Sequence, residues 1–237
     1  MNVSGMVENK IKILSTRALN SDLLHKAGLL DMDVEADAFI KIIPDVSKET
    51  AAFIQSVALH PATVIFTSVN SVIAVTTQLT VAPSWKIFSI GGATKDALLH
   101  FFDASSIVGS AKNATLLSEK IIAYGAIKEV VFFCGNRRMN HLPEKLGDAG
   151  ITVKELTVYQ TVGTPVATTK EYEGILFFSP SAVESFFSIN TIPVHTILFS
   201  IGESTTAAIE SYCSNTVITS QWPGESNMLE MVADYFK

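Results

Sequence analysis

Short runs of apolar residues alternate along this chain with longer segments in which apolar residues recur every three or four positions. Such runs are typical of strands buried on both faces, and the longer spacing is typical of helices with one buried face. The runs predict strands at 12–16, 38–43, 63–66, 86–90, 106–108, 130–134, 153–159, 174–178, 196–201 and 216–219. The periodic segments predict helices at 20–30, 47–59, 70–79, 94–102, 113–124, 139–149, 181–188, 204–213 and 225–236, the first capped by Asn20 or Ser21. This alternation predicts an α/β protein with parallel sheets between helices.

Two parts of the pattern recur at a fixed offset of 111 residues. Phe66–Val72 resembles Phe177–Val183, and Ile90–Thr94 resembles Ile201–Thr205. Two matches at one offset predict two copies of one α/β unit with equivalent polar loops. We expect those loops to face one another across a cleft, the kind of place where small molecules bind.

A second, weaker repeat relates the segment 12–44 to the segment 130–161. Each contains a strand, a loop with arginine, a helix, a glycine and another strand. The chain therefore consists of two half-units followed by their two copies. Either consecutive half-units form a lobe, or the copies cross over so that the first half-unit joins the last. Periodicity leaves both arrangements open.

Composition narrows the class of protein. The 237 residues suffice for two domains, 48% of them are apolar, and the net charge is −6. No basic stripe typical of nucleic-acid binding occurs, and no apolar run is long enough for a membrane span or a signal peptide. Two cysteines imply no disulfide framework. We therefore expect a soluble cytoplasmic protein.

Polar residues follow the predicted strands and precede the predicted helices. The loops are Thr67-Ser68, Gly91-Gly92-Ala93-Thr94, Gly135-Asn136-Arg137, Ser179-Pro180-Ser181 and Gly202-Glu203-Ser204-Thr205. Ligands of parallel sheets bind beyond the carboxyl ends of the strands, and helix N-termini attract anions. The alternative role of each serine or threonine is helix capping. As a set, the loops favour a ligand with several carboxylates.

The sequence gives little support to nucleotide binding, to a nucleophilic serine or to metal binding. Nucleotide-binding glycine motifs and a nucleophile elbow are absent, and the five histidines lie at no metal-ligand spacing. Cys134 ends an apolar strand and is typical of a small core residue. The three arginines, Arg17, Arg137 and Arg138, follow equivalent strands, where they are suited either to gripping carboxylates or to a solvated surface.

Six short motifs, in this order and spacing, resemble those of the uroporphyrinogen-III synthase family. They are Phe66-Thr67-Ser68-x-Asn70, Gly91-x-x-Thr94, Cys134-Gly135-Asn136, Thr157-Val158-Tyr159-Gln160-Thr161, Phe178-Ser179-Pro180-Ser181 and Ile201-Gly202-x-x-Thr205. The resemblance runs from Thr16-Arg17 to the final helix, and 133–162 is the most similar stretch.

The resemblance implies the crossed arrangement, with two similar flavodoxin-like lobes joined by a two-stranded β ladder. Residues 1–40 and 164–237 form one lobe, 44–160 form the other, and the linkers lie at about 40–43 and 158–163. The family closes hydroxymethylbilane, a linear tetrapyrrole, into uroporphyrinogen III. Ring D is inverted through a spiro intermediate, and water is lost without a cofactor or metal.

Site residues follow from the same resemblance. Tyr159 matches the family tyrosine proposed to protonate the departing hydroxyl, although packing between the lobes is its alternative role. Thr94 and Thr205 match threonines that line the cleft. The further substrate-binding residues are Arg17, Thr67, Ser68, Ser179, Ser181 and Ser204. The expected partners are the small-molecule substrate and, transiently, the preceding pathway enzyme, with the protein itself a monomer.

Two departures from the family pattern and two other functions bear on these expectations. Glu203 places an acid near a site meant for anions, and Val69 replaces a frequent proline. A two-lobed small-molecule binding protein, or a regulatory protein without turnover, shares the predicted architecture. Conversion of hydroxymethylbilane distinguishes the enzyme from both.

Overall fold

The computed structural model describes residues 10–45, 47–222 and 224–237. Its strands are β1 (Ile11–Ser15), β2 (Met32–Ala36), β3 (Ile40–Pro44), β4 (Ala62–Phe66), β5 (Trp85–Ile90), β6 (Ile107–Ala111), β7 (Glu129–Gly135), β8 (Thr152–Gly163), β9 (Gly174–Phe177), β10 (Ile197–Ser200) and β11 (Val217–Thr219). Its helices are α1 (Ser21–Leu29), α2 (Lys48–Ala58), α3 (Val69–Thr76), α4 (Ala93–Leu99), α5 (Ala114–Tyr124), α6 (His141–Asp148), α7 (Pro180–Phe187), α8 (Glu203–Glu210) and α9 (Glu225–Phe236), and a 3₁₀ turn spans Ala104–Ser106.

The chain divides into two compact units. Unit 1 contains the described residues up to Lys41 together with Val162–Lys237, and unit 2 is Ile42–Thr161. One sheet has the strand order β11-β10-β9-β1-β2, and the other has the order β3-β8-β7-β4-β5-β6. Helices follow the strands in both, which confirms the predicted α/β class with parallel sheets flanked by helices.

The sheet of unit 1 joins the start of the chain to its end. Strand β1 pairs in parallel with β2 on one side and with β9 on the other. The Thr16 hydroxyl also donates to the Leu176 carbonyl oxygen at 2.7 Å, across 160 residues of sequence. Neighbouring strand residues such as Leu176 and Phe177 belong to two different apolar clusters, so the sheet is buried on both faces.

The sheet of unit 2 is built in the same way. Strand β4 lies between β5 and β7 and pairs in parallel with both. Ile65 and Phe66, which are adjacent in sequence, enter two separate apolar clusters, as do Phe132 and Phe133 of β7. Burial on both faces explains why these strands are continuous apolar runs rather than alternating patterns.

The sequence prediction was wrong at the second strand. It placed one strand at 38–43, whereas the structure has β2 at Met32–Ala36 and β3 at Ile40–Pro44. Strand β2 lies at the edge of its sheet, and within it only Met32 is buried. Asp33 and Glu35 alternate with Val34 and Ala36, so no apolar run marks the strand.

Strands β3 and β8 contain the points where the chain passes from one unit to the other. They are hydrogen-bonded neighbours in the sheet order, and the Asp45 amide donates to the Val158 carbonyl oxygen at 2.9 Å. Strand β8 is a single strand of 12 residues that includes both the predicted strand 153–159 and the predicted linker. Tyr159, a predicted site residue, lies on this strand.

Candidate active site

Two predicted site residues follow β4 in unit 2. Thr67 and Ser68 form the connection to α3, and both are half-buried. Ser68 is the N-cap of α3, with its hydroxyl oxygen accepting a hydrogen bond from the Ser71 amide at 3.1 Å. Capping, the alternative role considered for this serine, is therefore one of its functions.

The same hydroxyl lies 3.3 Å from the Ser71 hydroxyl, and it makes one further contact, which capping does not explain. Ser68 Oγ donates to the hydroxyl oxygen of Tyr159 at 3.1 Å. The structure thus brings together two site residues that are 91 positions apart in the sequence. Because its oxygen accepts from Ser68, the Tyr159 hydroxyl keeps its own proton for donation to another molecule.

The Tyr159 ring lies over a glycine of the neighbouring strand. A Cβ atom built on Gly135 would lie 2.4 Å from Tyr159 Cζ and 2.8 Å from the tyrosine oxygen. The two strands shift register at this point, since Cys134 pairs with Thr157 and Gly135 pairs with Tyr159. Val158 is the extra residue of this β-bulge, and its side chain is buried in the apolar cluster that the Tyr159 ring packs against.

Asn136 fixes the backbone around Tyr159. Its amide donates to the Tyr159 carbonyl oxygen at 3.2 Å. Its side-chain oxygen accepts from the Thr161 amide at 2.8 Å, and its side-chain nitrogen donates to the Thr161 carbonyl oxygen at 3.4 Å. The sequence analysis places Gly135 and Asn136 in a polar loop of the predicted binding set and in a motif, but names neither as an individual site residue. Their signal is the Cys-Gly-Asn motif itself, at the carboxyl end of β7.

Thr94 follows β5, the next strand of the same sheet. Helix α4 begins after Gly92, whose φ of 64° lies in the left-handed region that favours glycine. Gly92 offers no capping side chain, so the first turn of α4 has no side-chain cap. Thr94 lies in that turn and is 6% exposed.

Unit 1 repeats the capped arrangement of α3. Ser179 follows β9 as the N-cap of α7, and its hydroxyl oxygen accepts from the Ala182 amide at 3.2 Å. Pro180 takes the first helical position, where a missing amide is tolerated. Ser181 is half-buried in the first turn. Ser68 and Ser179 therefore cap equivalent helices, as the 111-residue repeat predicts.

Unit 1 also repeats the glycine-started helix. Helix α8 follows β10 with Gly202 at its N-cap and no capping side chain. Ser204 is exposed in the first turn, whereas Thr205 is only 1% exposed. Glu203 occupies the first helical position, where the partial positive charge of the helix end stabilises a carboxylate. This acid therefore competes with any anion that binds there.

Arg17 follows β1 and has a carboxylate partner within the protein. Its Nε lies 3.0 Å from Oε1 of Glu225, the first residue of α9. The arginine side chain remains 59% exposed, so the guanidinium is accessible while paired. Of the other arginines, Arg138 pairs with Glu155 of β8.

Cys134 and Tyr172 also have shifted pKa values, but neither is one of the site residues described above. Burial raises the pKa of the Cys134 thiol, and its sulfur donates to the Leu156 carbonyl oxygen, as suits a core residue. Burial and the hydrogen bond to Glu35 raise the pKa of Tyr172. Among the described residues, no three histidine, cysteine or acidic side chains gather as a metal site, and no helix is long and apolar enough to cross a membrane.

The predicted residues therefore fall into two groups at the carboxyl ends of parallel strands. In unit 2, Thr67, Ser68, Thr94 and Tyr159 follow or lie on β4, β5 and β8. In unit 1, Arg17, Ser179, Ser181, Ser204 and Thr205 follow three adjacent strands, β1, β9 and β10. Hydroxyl groups, helix N-termini and a guanidinium are suited to binding carboxylates, and the phenol is suited to donating a proton.

Comparison with known proteins gives a family and a fold. The family model described as "Uroporphyrinogen-III synthase HemD" matches residues 23–230. A mutant uroporphyrinogen III synthase from Thermus thermophilus superimposes with a TM-score of 0.67 at 12% identity, covering 96% of this chain and 100% of that chain. The uroporphyrinogen-III synthetase from Helicobacter pylori gives 0.66 at 15% identity, covering 95% and 99%. No curated protein matches the chain significantly.

Proposed function

The chain belongs to the uroporphyrinogen-III synthase family, the cyclising lyases of haem biosynthesis, and we propose that its substrate is hydroxymethylbilane. The match over residues 23–230 carries this proposal. The product is then uroporphyrinogen III, formed with inversion of ring D. The roles of individual residues proposed below rest on the contacts within each unit.

Binding of the substrate is assigned to the helix N-termini and the guanidinium. Hydroxymethylbilane carries eight carboxylates, whereas the protein has a net charge of −6, so its overall field opposes binding. Local donors therefore have to provide the attraction. The first turns of α4 and α8 have glycine in place of a capping side chain, which leaves their amides available to a ligand. Arg17 exchanges Glu225 for a substrate carboxylate.

Departure of the ring A hydroxyl is assigned to Tyr159. The phenol donates its proton to the hydroxyl, the carbon–oxygen bond breaks and water leaves, so that ring A becomes a reactive azafulvene that keeps its N–H proton and carries the positive charge. The phenolate oxygen that remains accepts the hydrogen bond from Ser68 Oγ. Hydrogen bonds to charged groups are stronger than those to neutral groups, so this contact stabilises the transition state more than the ground state.

Control of ring closure is assigned to orientation. Left alone, the azafulvene closes to the type I isomer without inversion. Attack through the substituted carbon of ring D gives the spiro intermediate, which reopens and closes as type III. Holding reacting groups in place supplies roughly 7–11 kcal/mol in well-oriented systems. The proton lost when ring D regains its aromaticity returns to the Tyr159 phenolate, so the catalyst is restored.

The test is an isomer assay with freshly prepared hydroxymethylbilane. We expect the protein to shift the product from type I to type III uroporphyrinogen, resolved by chromatography after oxidation. A binding or regulatory protein without turnover leaves type I forming at the uncatalysed rate. That result would refute the proposed function.

A second experiment tests the proton donor. Tyr159→Phe keeps the ring but removes the proton, and we expect about 100-fold lower kcat with little change in KM. Tyr124→Phe is the matched control because Tyr124 ends α5 in the same unit and lies against Lys86, near the amino end of β5. Undiminished turnover by Tyr159→Phe would remove Tyr159 from the mechanism.

We also propose that the protein acts as a monomer in the cytoplasm and receives its substrate from the enzyme that makes it. Cys134 and Cys213 are both free thiols, which suits a reducing compartment. Size-exclusion chromatography with light scattering tests the oligomeric state. A mass near 25.6 kDa supports a monomer, and twice that mass refutes it.

A further inference from the structure

Gly135 is a glycine for reasons of space rather than of backbone conformation. It is buried at the carboxyl end of β7, and its φ lies outside the left-handed region that only glycine adopts easily. An alanine backbone therefore fits at this position. What does not fit is the Cβ atom, which would lie 2.4 Å from Cζ and 2.6 Å from Cε2 of Tyr159.

The backbone is fixed on both sides of Tyr159. The bulge at Val158 buries one neighbour in the core, and the three hydrogen bonds of Asn136 fix the Tyr159 carbonyl and the Thr161 peptide groups. With its backbone fixed, the Tyr159 ring occupies the space next to residue 135. That space exists because residue 135 lacks a side chain.

The atoms that a Cβ would displace are those that make the contact with Ser68. Cζ, Cε2 and the oxygen of Tyr159 all lie within 2.8 Å of the missing Cβ, and the oxygen accepts from Ser68 Oγ at 3.1 Å. We propose that Gly135 is a positioning residue for Tyr159, and that its missing side chain sets where the phenol hydroxyl lies. The inference rests on the proposed function of Tyr159 as proton donor.

A second glycine of the same sheet gives a matched comparison. Gly109 of β6 also lies at a register shift, and a Cβ there would meet Phe88 Cδ1 at 2.6 Å. Phe88 is fully buried in the core, so its ring has nowhere to move. The Tyr159 ring is half-buried and is approached at its outer end, so it moves aside at small cost.

The two alanine variants should therefore behave in opposite ways. For Gly135→Ala we expect kcat to fall about 100-fold, as in Tyr159→Phe, with KM and the urea midpoint of unfolding nearly unchanged. For Gly109→Ala we expect a lower urea midpoint and an unchanged kcat. If Gly135 acts through the hydroxyl, Gly135→Ala should lower kcat less than about twofold further in a Tyr159→Phe background.

Asn136→Ala tests the same positioning without placing an atom in the core. Asn136 is exposed, so the variant should fold even if Gly135→Ala does not. We expect about 10-fold lower kcat, again without further loss in the Tyr159→Phe background. The proposal is overturned if the kcat losses of either variant and of Tyr159→Phe multiply fully when the two substitutions are combined. It is also overturned if Gly135→Ala and Asn136→Ala both have the wild-type kcat.

A spectroscopic measurement separates this inference from the proposed function. In protein labelled with ¹³Cζ-tyrosine, the Tyr159 signal is the one missing from Tyr159→Phe. We expect it to shift in Gly135→Ala and to stay in place in Gly109→Ala. If the wild type fails to make type III product, the proposed function fails, and the shift still tests the positioning. An unmoved signal in an active Gly135→Ala protein refutes the positioning alone.

Discussion

Ser68 has two roles that one substitution removes together, and each has its own measurable consequence. Ser68→Ala loses the cap of α3, which costs about 1 kcal/mol of unfolding free energy. It also loses the hydrogen bond to Tyr159. That bond contributes about 1 kcal/mol with a neutral phenol and about 1.5–3 kcal/mol with a phenolate. The difference of about 0.5–2 kcal/mol acts only in the transition state, so kcat should fall about 2–30-fold.

A matched variant isolates the catalytic part of this loss. Ser47 is the N-cap of α2 in the same unit, and its hydroxyl oxygen accepts from the Thr50 amide at 3.2 Å, much as Ser68 accepts from Ser71. Ser47→Ala should therefore cost the same stability in urea unfolding. It should leave kcat unchanged, since Ser47 makes no contact with Tyr159.

The assay compares initial rates of type III product at saturating substrate with urea unfolding of the same preparations. Equal kcat values for Ser68→Ala and Ser47→Ala would mean that Ser68 serves only the helix. A loss of equal size in a Tyr159→Phe background would show that Ser68 acts on the reaction by another route. Either result would refute the reasoning that joins the two hydroxyls.

Three further predictions concern charge and exposure. Hydrogen bonds from Ser47 and Thr50 lower the pKa of Asp45, so the stability that its carboxylate contributes is present at neutral pH and lost as pH falls through the acid range. Asp45→Asn should thus lower the urea midpoint at pH 7 and lower it progressively less as the pH falls below 4, and equal losses at all these pH values would contradict this. Glu225→Gln should lower KM because Arg17 no longer pairs with a protein carboxylate, while stability changes by less than about 0.5 kcal/mol, as is usual for exposed pairs; an unaltered KM would speak against Arg17 as a substrate contact. Iodide should quench Trp222, which is 71% exposed, and spare the buried Trp85, so Trp222→Phe should abolish quenching, and residual quenching would place Trp85 near solvent.

The sequence was most informative where burial on both faces imposed apolar runs. Strands such as β4 and β7 were predicted because Ile65, Phe66 and their equivalents have no exposed face. The predicted cap Asn20 is confirmed, with its side chain accepting from the Leu23 amide. Strand β2 was not predicted because an edge strand needs little apolar surface, and its sequence therefore contains no apolar run.

The candidate site shows the same division. Repeats and motifs identified Ser68 and Tyr159 separately, but nothing in their spacing indicates that their hydroxyls meet. That contact depends on the register shift at Val158 and on the missing side chain of Gly135. Both are properties of paired strands, and a pattern along one chain does not encode which residues of two strands stand opposite each other.

The pairing of β1 with β9 has a consequence for biosynthesis. A ribosome that adds about 5–20 residues per second needs about 10 to 30 seconds to travel the 160 residues between Thr16 and its partner Leu176. Unit 2 emerges whole in that interval as an uninterrupted stretch, whereas Ile13 and Leu14 have no partner strand from the far end of the chain. Through most of translation the nascent polypeptide thus carries β1 with β2 beside it and its other edge unpaired, and we expect chaperones to act on that exposed strand edge.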